Sequence, residues 1–352
     1  MFRKGAEWLS KRELIPTSLR AVLGYYTDSG IFDYRSITLK RRVDDRVDKM
    51  IRASFTDIEE AIAEEFGYGY VTFHYDTKLV LPTKLALGYL YRTLNEDRYP
   101  EEEEMTCLIV EALIDGDMRD AINDEEYGDF EVDFETDEHD DAVIATIAQE
   151  VLQARVEEKM SSVPEAVSES YLSAVKHSER HQENDPYLRE LLSRAQDGDQ
   201  EAMSRIQKEY KHAVFDEQPQ VFTQADLDLP YLKTQYARVG VIYSGMAGMY
   251  RGADLPVETS FERAIVLAII GAQIWLDDVD DFSEDMDEGQ LTPVTAEYVM
   301  ADTNGQAKQS IIDISNRYLD RAKRQTVIAE FSLTAIAIEY ISLDGNPSAL
   351  PD

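Results

Sequence analysis

Apolar residues recur at three- and four-residue spacing along much of this chain, which is the pattern of amphipathic helices. Residues 36–66 and 142–182 show it most clearly, and they contain few helix breakers. Two stretches depart from it: 67–82 is β-branched and aromatic between Gly and Pro, and 127–135 alternates at period two. The pattern predicts a mainly all-α helical bundle with a small strand-containing insertion.

A central, buried helix is predicted over residues 260–281. Thr259 to Glu262 has the spacing of a capping box, which indicates where this helix begins. From Ala264 to Leu276 the residues are apolar on every side except at Gln273. This apolar run is shorter than the roughly 20 residues that a spanning helix needs, so we expect no transmembrane segment.

The preceding helix, predicted over residues 231–251, has two distinct faces. Small residues at 240, 244 and 248 form one row, which allows another helix to approach closely. Tyr236, Tyr243 and Tyr250 form a second row at seven-residue spacing. Such a row packs in a core or lines a substrate site, and Tyr243 is the candidate for substrate contact.

Breaks near residues 184–186 suggest an N-terminal helical region, 1–182, and a C-terminal helical region, 183–352; a single domain is the alternative. The first region includes an acidic insertion, 120–141, which contains no Lys or Arg. Such a block is typical of a solvated surface.

The amino-acid composition indicates a high-salt environment and argues against a nucleic-acid partner. The chain has 352 residues, 70 Asp+Glu against 35 Lys+Arg, a net charge of -35 and 43% hydrophobic residues. A folded protein with this charge is typical of cytoplasm at multimolar salt, where charges are screened over about 3 Å. The same charge repels phosphate backbones, so we expect no nucleic-acid partner. The lone cysteine, Cys107, fits a reducing compartment.

The N-terminus is an exception to the acidic composition. It combines apolar side chains with cations, which leaves open a contact with a membrane surface. The apolar residues are Phe2, Trp8 and Leu9, and the cations are Arg3, Lys4, Lys11 and Arg12.

Eight acids among residues 277–288 follow the predicted buried helix directly. On a helix, Asp277 and Asp281 lie one turn apart, with Asp278 adjacent and Asp285 one turn further on. Carboxylates at this spacing can hold hard divalent cations such as Mg²⁺. Without a cation or a donor, buried like charges would repel each other.

Residues 271–293, GAQIWLDDVDDFSEDMDEGQLTP, resemble the second aspartate-rich motif of the isoprenoid synthase superfamily. In the DDxxD pattern of that motif the matches are Asp277, Asp278 and Asp281, and the later matches are Asp285, Gly289 and Pro293. Gln273 lies one residue earlier than in squalene and phytoene synthases, and Gln290 stands where a basic residue is usual. The resemblance covers about 25 residues.

The resemblance implies an all-α bundle in which Mg²⁺ bridges a diphosphate between two aspartate-rich motifs on facing helices. A first motif is then required. Asp115, Asp117 and Asp120 follow an apolar run as the second motif does, although Gly116 stands where an acid is expected. The alternative is the exact DDxxD of residues 44–48, whose alternating charges also suit an exposed ion-pair ladder.

Cations are concentrated in the helix after Asn304. Arg317, Arg321 and Arg324 lie on one face of it and could bind a leaving diphosphate, since Arg binds phosphate through two donors. Ion pairs with neighbouring carboxylates are the other interpretation.

The function expected from these features is a Mg²⁺-dependent cytoplasmic enzyme of a halophile acting on an isoprenoid diphosphate. Asp277, Asp278, Asp281, Asp285, Asp117 and Asp120 are the expected metal ligands. Gln273, Tyr243 and the three arginines are the expected substrate contacts. The alternative is a non-catalytic structural or interaction protein of a halophile or its virus, with acidic clusters as solvated surface and small-residue faces that serve assembly, including a homo-oligomer.

Overall fold

The structure, a computed structural model, describes residues 2–12, 15–31, 34–75, 80–123, 125–328 and 331–352. Regular structure there is almost entirely helical, which confirms the predicted fold class. The α-helices are α1 (Phe2–Ser10), α2 (Thr17–Ser29), α3 (Tyr34–Phe66), α4 (Val80–Thr93), α5 (Tyr99–Asn123), α6 (Glu138–Met160), α7 (Glu165–Gln182), α8 (Asp185–Gln196), α9 (Gln200–Arg205), α10 (Leu232–Gln235), α11 (Val241–Gly252), α12 (Thr259–Ala272), α13 (Asp278–Asp280), α14 (Phe282–Glu288), α15 (Pro293–Met300), α16 (Asn304–Ile328) and α17 (Ser332–Asp344). Ile206–Lys211, Tyr236–Gly240 and Gln273–Asp277 are π-helical.

A two-stranded sheet forms where the sequence departs from helical periodicity. Strands β1 (Phe73–His74) and β2 (Glu131–Val132) pair antiparallel, with Phe73 opposite Val132. The strands are shorter than the predicted stretches: Val80 already begins α4, and residues 76–79 lie outside the described part of the chain. The backbone N–H of Phe73 donates to Glu59 Oε1 at 3.0 Å, so a side chain of α3 bonds to β1.

The chain divides into two compact units. The first contains residues 1–36, 171–247 and 257–352, and the second contains residues 37–170 and 248–256. The predicted boundary between residues 182 and 183 therefore lies inside the first unit. Local breaks in periodicity locate turns, whereas the units depend on which distant segments pack together.

The second unit is built around an apolar core that also contains a buried acid. Phe55 packs edge-on against Phe73, with ring centroids 5.1 Å apart. Glu111 on α5 is fully buried, and Arg155 on α6 donates to it at 2.8 Å. Lys159, one turn further along α6, also pairs with Glu111. Two cations thus compensate a buried charge that would be costly alone.

In the first unit, α12 is the buried helix that the sequence predicted, and it packs against α16. A Cβ on Gly271 would lie 2.9 Å from the side chain of Leu319, so the glycine permits this close approach. The predicted capping box is wrong: Thr259 is already the first helical residue, and Glu258 at the N-cap makes no side-chain cap bond.

The continuous helical stretch Thr259–Asp280 is, by length and composition alone, apolar enough to cross a bilayer. Core helices of soluble proteins meet the same criterion, and 56% of its most apolar window is buried inside the protein. Among the described residues, Thr259–Asp280 is the one helical stretch long and apolar enough to meet this criterion.

Candidate functional site

The acidic segment begins in a π-helical turn at the end of α12. Gln273–Asp277 forms this turn, and α13 and α14 follow it directly. A π-turn shifts the following residues around the helix axis, and such turns frequently occur at functional sites. The acids consequently differ in exposure: Asp278 is 1% exposed, Asp277 is half-buried and Asp281 is exposed.

Asp278 forms a buried ion pair with Arg238, which comes from the π-helical turn Tyr236–Gly240. Arg238 Nη1 donates to Asp278 Oδ1 at 2.8 Å. The second oxygen, Oδ2, is buried and has no hydrogen-bond partner. Burial raises the pKa of Asp278 to about 6; Arg238 opposes this rise and the neighbouring Asp277 adds to it. The carboxylate thus has one satisfied oxygen and one unsatisfied oxygen.

Asp285 is a second buried acid in the same electrostatic environment, with 8% of its surface exposed. Burial raises its pKa to about 7, and the negative charges of Asp278 and Asp281 raise it further. Arg238 and a hydrogen bond with Thr292 act in the opposite direction. Burial is thus the main cause of both raised carboxyl pKa values, and Arg238 offsets it only in part.

Neutral polar groups complete the surroundings of the pair. Gln273 donates to Asp277 Oδ2 and lowers the pKa of the adjacent Asp278. Gln235 Nε2 donates to the hydroxyl of Tyr210 at 3.3 Å, and Gln235 Oε1 is buried without a partner. Burial raises the pKa of Tyr210, and the charges of Arg238, Asp278 and Asp285 act on the same hydroxyl.

The described residues contain no group of three or more His, Cys, Asp or Glu side chains arranged to hold a metal ion. The site therefore lacks a cage made by protein ligands alone. Mg²⁺ is commonly bound by one or two carboxylates together with phosphate oxygens of a substrate. The free oxygen of Asp278 and the exposed Asp281 suit that second kind of site.

Arg317 and Arg321, two of the predicted diphosphate partners on α16, form ion pairs within the protein. Arg317 lies 3.6 Å from Asp228 Oδ2, and Arg321 donates to Asp228 Oδ1 at 2.8 Å. Arg321 also lies 3.3 Å from Oδ1 of the buried Asp226. Arg324 is exposed. The ion-pair interpretation of Arg317 and Arg321 thus describes their present contacts.

Both candidates for a first motif belong to the second unit, whereas the second motif belongs to the first. Asp115 is 2% exposed and accepts from Arg119 at 2.8 Å; burial raises its pKa, and Arg119 and Gln149 oppose the rise. Asp117 accepts from the hydroxyl of Tyr75 at 3.2 Å. The charge of Asp120 also acts on that hydroxyl.

The alternative first motif forms ion pairs with nearby lysines. Lys40 pairs with Asp44 one turn away on α3, and Lys84 lies 3.0 Å from Asp48 Oδ1. Lys84 also lies 4.0 Å from Asp44 Oδ1. These contacts are those of an ion-pair ladder.

Other positions singled out in the sequence have local structural roles. Gly289 ends α14 in the left-handed region at φ 75°, which favours glycine. Pro293 is the first residue of α15, and the preceding Thr292 forms a capping box with Thr295. Tyr243 is buried in α11, with 4% of its surface exposed.

Arg238, Gln235 and Tyr210 belong to the site but were not found from the sequence. A signal for Arg238 was present: it lies among small and apolar residues at the start of a stretch, 234–307, that contains no lysine. A retained arginine there suggests a buried carboxylate partner. Nothing in the sequence indicated which carboxylate that was.

Comparisons with protein-family models, curated proteins and solved structures find no match to this chain. The resemblance of residues 271–293 to the isoprenoid synthase motif therefore has no support from a relative.

Proposed function

We propose that this chain is a Mg²⁺-dependent enzyme of a salt-adapted cytoplasm that transfers, condenses or cyclises the prenyl group of an isoprenoid diphosphate. The observation that carries the proposal is the free Oδ2 of Asp278, which is buried at the start of α13 and near a second acid of raised pKa. An unsatisfied buried acceptor is costly, roughly 1–3 kcal/mol. A bound cation would remove that cost.

Each acid has a distinct role in this proposal. Asp278 and Asp285 supply buried oxygens, and Asp277 and Asp281 supply more exposed oxygens nearer to solvent. Arg238 fixes the position of Asp278 through Oδ1 and leaves Oδ2 for the cation. When bound, Mg²⁺ would neutralise charge that develops on the departing diphosphate.

Arg317 and Arg321 on α16 can take part only by exchanging partners. The side chain of Asp228 is 65% exposed, and exposed ion pairs contribute only about 0–1 kcal/mol. Replacing Asp228 by a diphosphate would therefore cost Arg317 little. Arg321 would keep its contact with Asp226. Arg324 is exposed on the same helix.

A second candidate is a non-catalytic structural or interaction protein. Two observations favour it: no three-carboxylate metal group among the described residues, and the existing ion pairs of Arg317 and Arg321. In this case the exposed acids among residues 277–288 would serve solubility at high salt, and the protein would neither need Mg²⁺ nor release diphosphate.

The deciding experiment measures release of diphosphate from geranyl, farnesyl and geranylgeranyl diphosphate, with and without Mg²⁺, in multimolar KCl. We expect Mg²⁺-dependent release that Asp281→Ala lowers by about a hundredfold or more. Asp287→Ala is the matched control, because it removes an exposed acid of the same segment that has no role in the proposed site.

Isothermal titration with Mg²⁺ and inorganic diphosphate provides a readout that does not need the correct prenyl substrate. Binding that Asp281→Ala weakens and Asp287→Ala leaves intact would support the site. The enzyme proposal fails if neither release nor binding is detected, or if both variants behave as the wild type does. The non-catalytic candidate would then be the better account.

A further inference from the structure

The N-terminal segment carries positive charge on the surface of an acidic protein. Residues 2–12 contain four cations and one acid, a local charge of +3, in a chain whose net charge is -35. The acid, Glu7, lies 3.2 Å from Lys11 Nζ. The four cations are all exposed: Arg3, Lys4, Lys11 and Arg12.

Contacts with α2 determine which face of α1 points outward. Ala6 is 7% exposed, and Arg3 Nε donates to the carbonyl of Thr27 at 2.7 Å. At 100° per residue, the face opposite Ala6 carries Lys4 and Trp8. Trp8 is 58% exposed, an unusual state for an indole.

Cations surround this indole. The guanidinium carbon of Arg12 lies 4.5 Å from the centroid of the Trp8 ring, which is a cation–π contact. Lys4 and Lys11 are four and three residues from Trp8, the spacing of neighbours on a helix surface. The outward face of α1 thus presents an exposed indole with basic side chains around it.

Two further apolar side chains are exposed in the same N-terminal segment. Leu9 is 39% exposed and Leu19, on α2, is 48% exposed. Arg20 Nε donates to the carbonyl of Ser10 at 3.0 Å, which places the start of α2 beside the end of α1. We use "N-terminal face" for the following residues: Lys4, Trp8, Leu9, Lys11, Arg12 and Leu19.

We propose that the N-terminal face docks on the surface of an anionic lipid bilayer. Tryptophan is enriched at the boundary between lipid headgroups and hydrocarbon. Basic residues beside it can pair with anionic headgroups. Exposed Leu9 and Leu19 favour a surface that contains hydrocarbon over a nucleic acid, whose phosphates offer no apolar partner. The proposal is independent of the proposed function.

The large net negative charge does not prevent this docking. Charges act over about 10 Å at 0.1 M salt and about 3 Å at 1 M, so a bilayer responds mainly to the charges that face it. Salt should therefore weaken the contribution of Lys4, Lys11 and Arg12. The contribution of Trp8 and the leucines should persist, since apolar burial does not depend on screening.

The test is flotation of the full chain with phosphatidylglycerol vesicles and with phosphatidylcholine vesicles, at low salt and in multimolar KCl. We expect binding to phosphatidylglycerol that exceeds binding to phosphatidylcholine at low salt. Replacing Lys4, Lys11 and Arg12 by Gln should weaken low-salt binding by about a hundredfold, since each cation contributes about fivefold. Trp8→Ser should weaken binding by about tenfold at both salt concentrations.

Two control variants remove equivalent groups elsewhere. A triple Lys→Gln variant at exposed positions changes the net charge by the same amount; the positions are Lys49, Lys176 and Lys208. Leu172→Ser removes a side chain that is 61% exposed. Both controls should bind as the wild type does. Absence of vesicle binding, or equal losses in test and control variants, would overturn the proposal.

Tryptophan fluorescence locates the contact. The chain has two tryptophans, and Trp275 is only 7% exposed. A blue shift on addition of phosphatidylglycerol vesicles, absent in Trp8→Ser, would place the indole at the bilayer. A shift that persists in Trp8→Ser would contradict docking through this face.

Discussion

Removing Arg238 tests the central geometric argument about the site. Arg238→Met keeps most of the side-chain volume in the π-helical turn but removes the guanidinium that donates to Asp278 Oδ1. Asp278 is 1% exposed, and its other oxygen already has no hydrogen-bond partner. The variant would therefore leave a buried carboxylate without its ion-pair partner.

The expected loss of stability depends on pH. Breaking a buried ion pair by removing one partner costs about 3–5 kcal/mol. Burial raises the pKa of Asp278 in the folded state from its ordinary 3.8 to about 6, and loss of Arg238 raises it further. The folded state then takes up a proton more readily than the unfolded state, so folding is relatively favoured at lower pH. We expect about 3 kcal/mol of destabilisation near pH 8 and less near pH 5.

The assay is a double-mutant cycle of Arg238→Met and Asp278→Asn, followed by urea unfolding in KCl with a chelator present. Tryptophan fluorescence reports the first unit, since Trp8 and Trp275 both belong to it. Asn at 278 carries no charge, so the double variant should recover most of the stability lost in Arg238→Met. The ion pair does not stabilise the fold in this way if Arg238→Met costs less than about 1 kcal/mol near pH 8, if the double variant recovers nothing, or if the loss is independent of pH.

Four further variants are tested by unfolding measurements. Asp285→Asn should stabilise the metal-free protein by about 2 kcal/mol near pH 8, because it removes a buried carboxylate whose pKa is raised from 3.8 to about 7. The gain should shrink as the pH falls below about 7 and vanish below about pH 4, where the unfolded state is protonated as well. A gain independent of pH would contradict this. Gly252→Ala should lower the free energy of unfolding by about 1–3 kcal/mol, since its Cβ would lie 2.8 Å from a backbone nitrogen. Gly116→Ala, which adds a methyl group in open space on α5, should raise that free energy by up to about 1 kcal/mol. Equal effects of the two substitutions would contradict the predicted steric clash at Gly252. Asp226→Asn should lower the free energy of unfolding by about 3–5 kcal/mol, because the buried Asp226 accepts two hydrogen bonds of 2.8 Å from Arg263. A loss under about 1 kcal/mol would show that this ion pair contributes little to stability.

Much of the secondary structure followed from the sequence because it depends on neighbours a few residues apart. The three- and four-residue spacing identified the helices, and the uninterrupted apolar run from Ala264 identified α12 as the buried one. Loss of that spacing also marked the two stretches that form β1 and β2. The predicted N-cap of α12 was wrong by one residue: Thr259 is already helical, and Glu258 occupies the N-cap position.

The site was predictable only in part. Local pattern showed that acids follow a buried helix, which is a property of contiguous residues. It did not show that the π-helical turn at 273–277 would bury Asp278 and leave Asp281 exposed. It also left the partners of Arg317 and Arg321 undecided, since Asp226 and Asp228 lie about 90 residues away in the chain.

The sequence by itself determined the helical class, the buried helix and the acidic segment at its end, because periodicity and composition act over a few turns. Only the tertiary structure decided that Arg238 pairs with Asp278 across 40 residues and leaves one carboxylate oxygen unsatisfied. A charge is tolerated in an apolar interior only beside a compensating group, and which group is beside it depends on how distant segments pack.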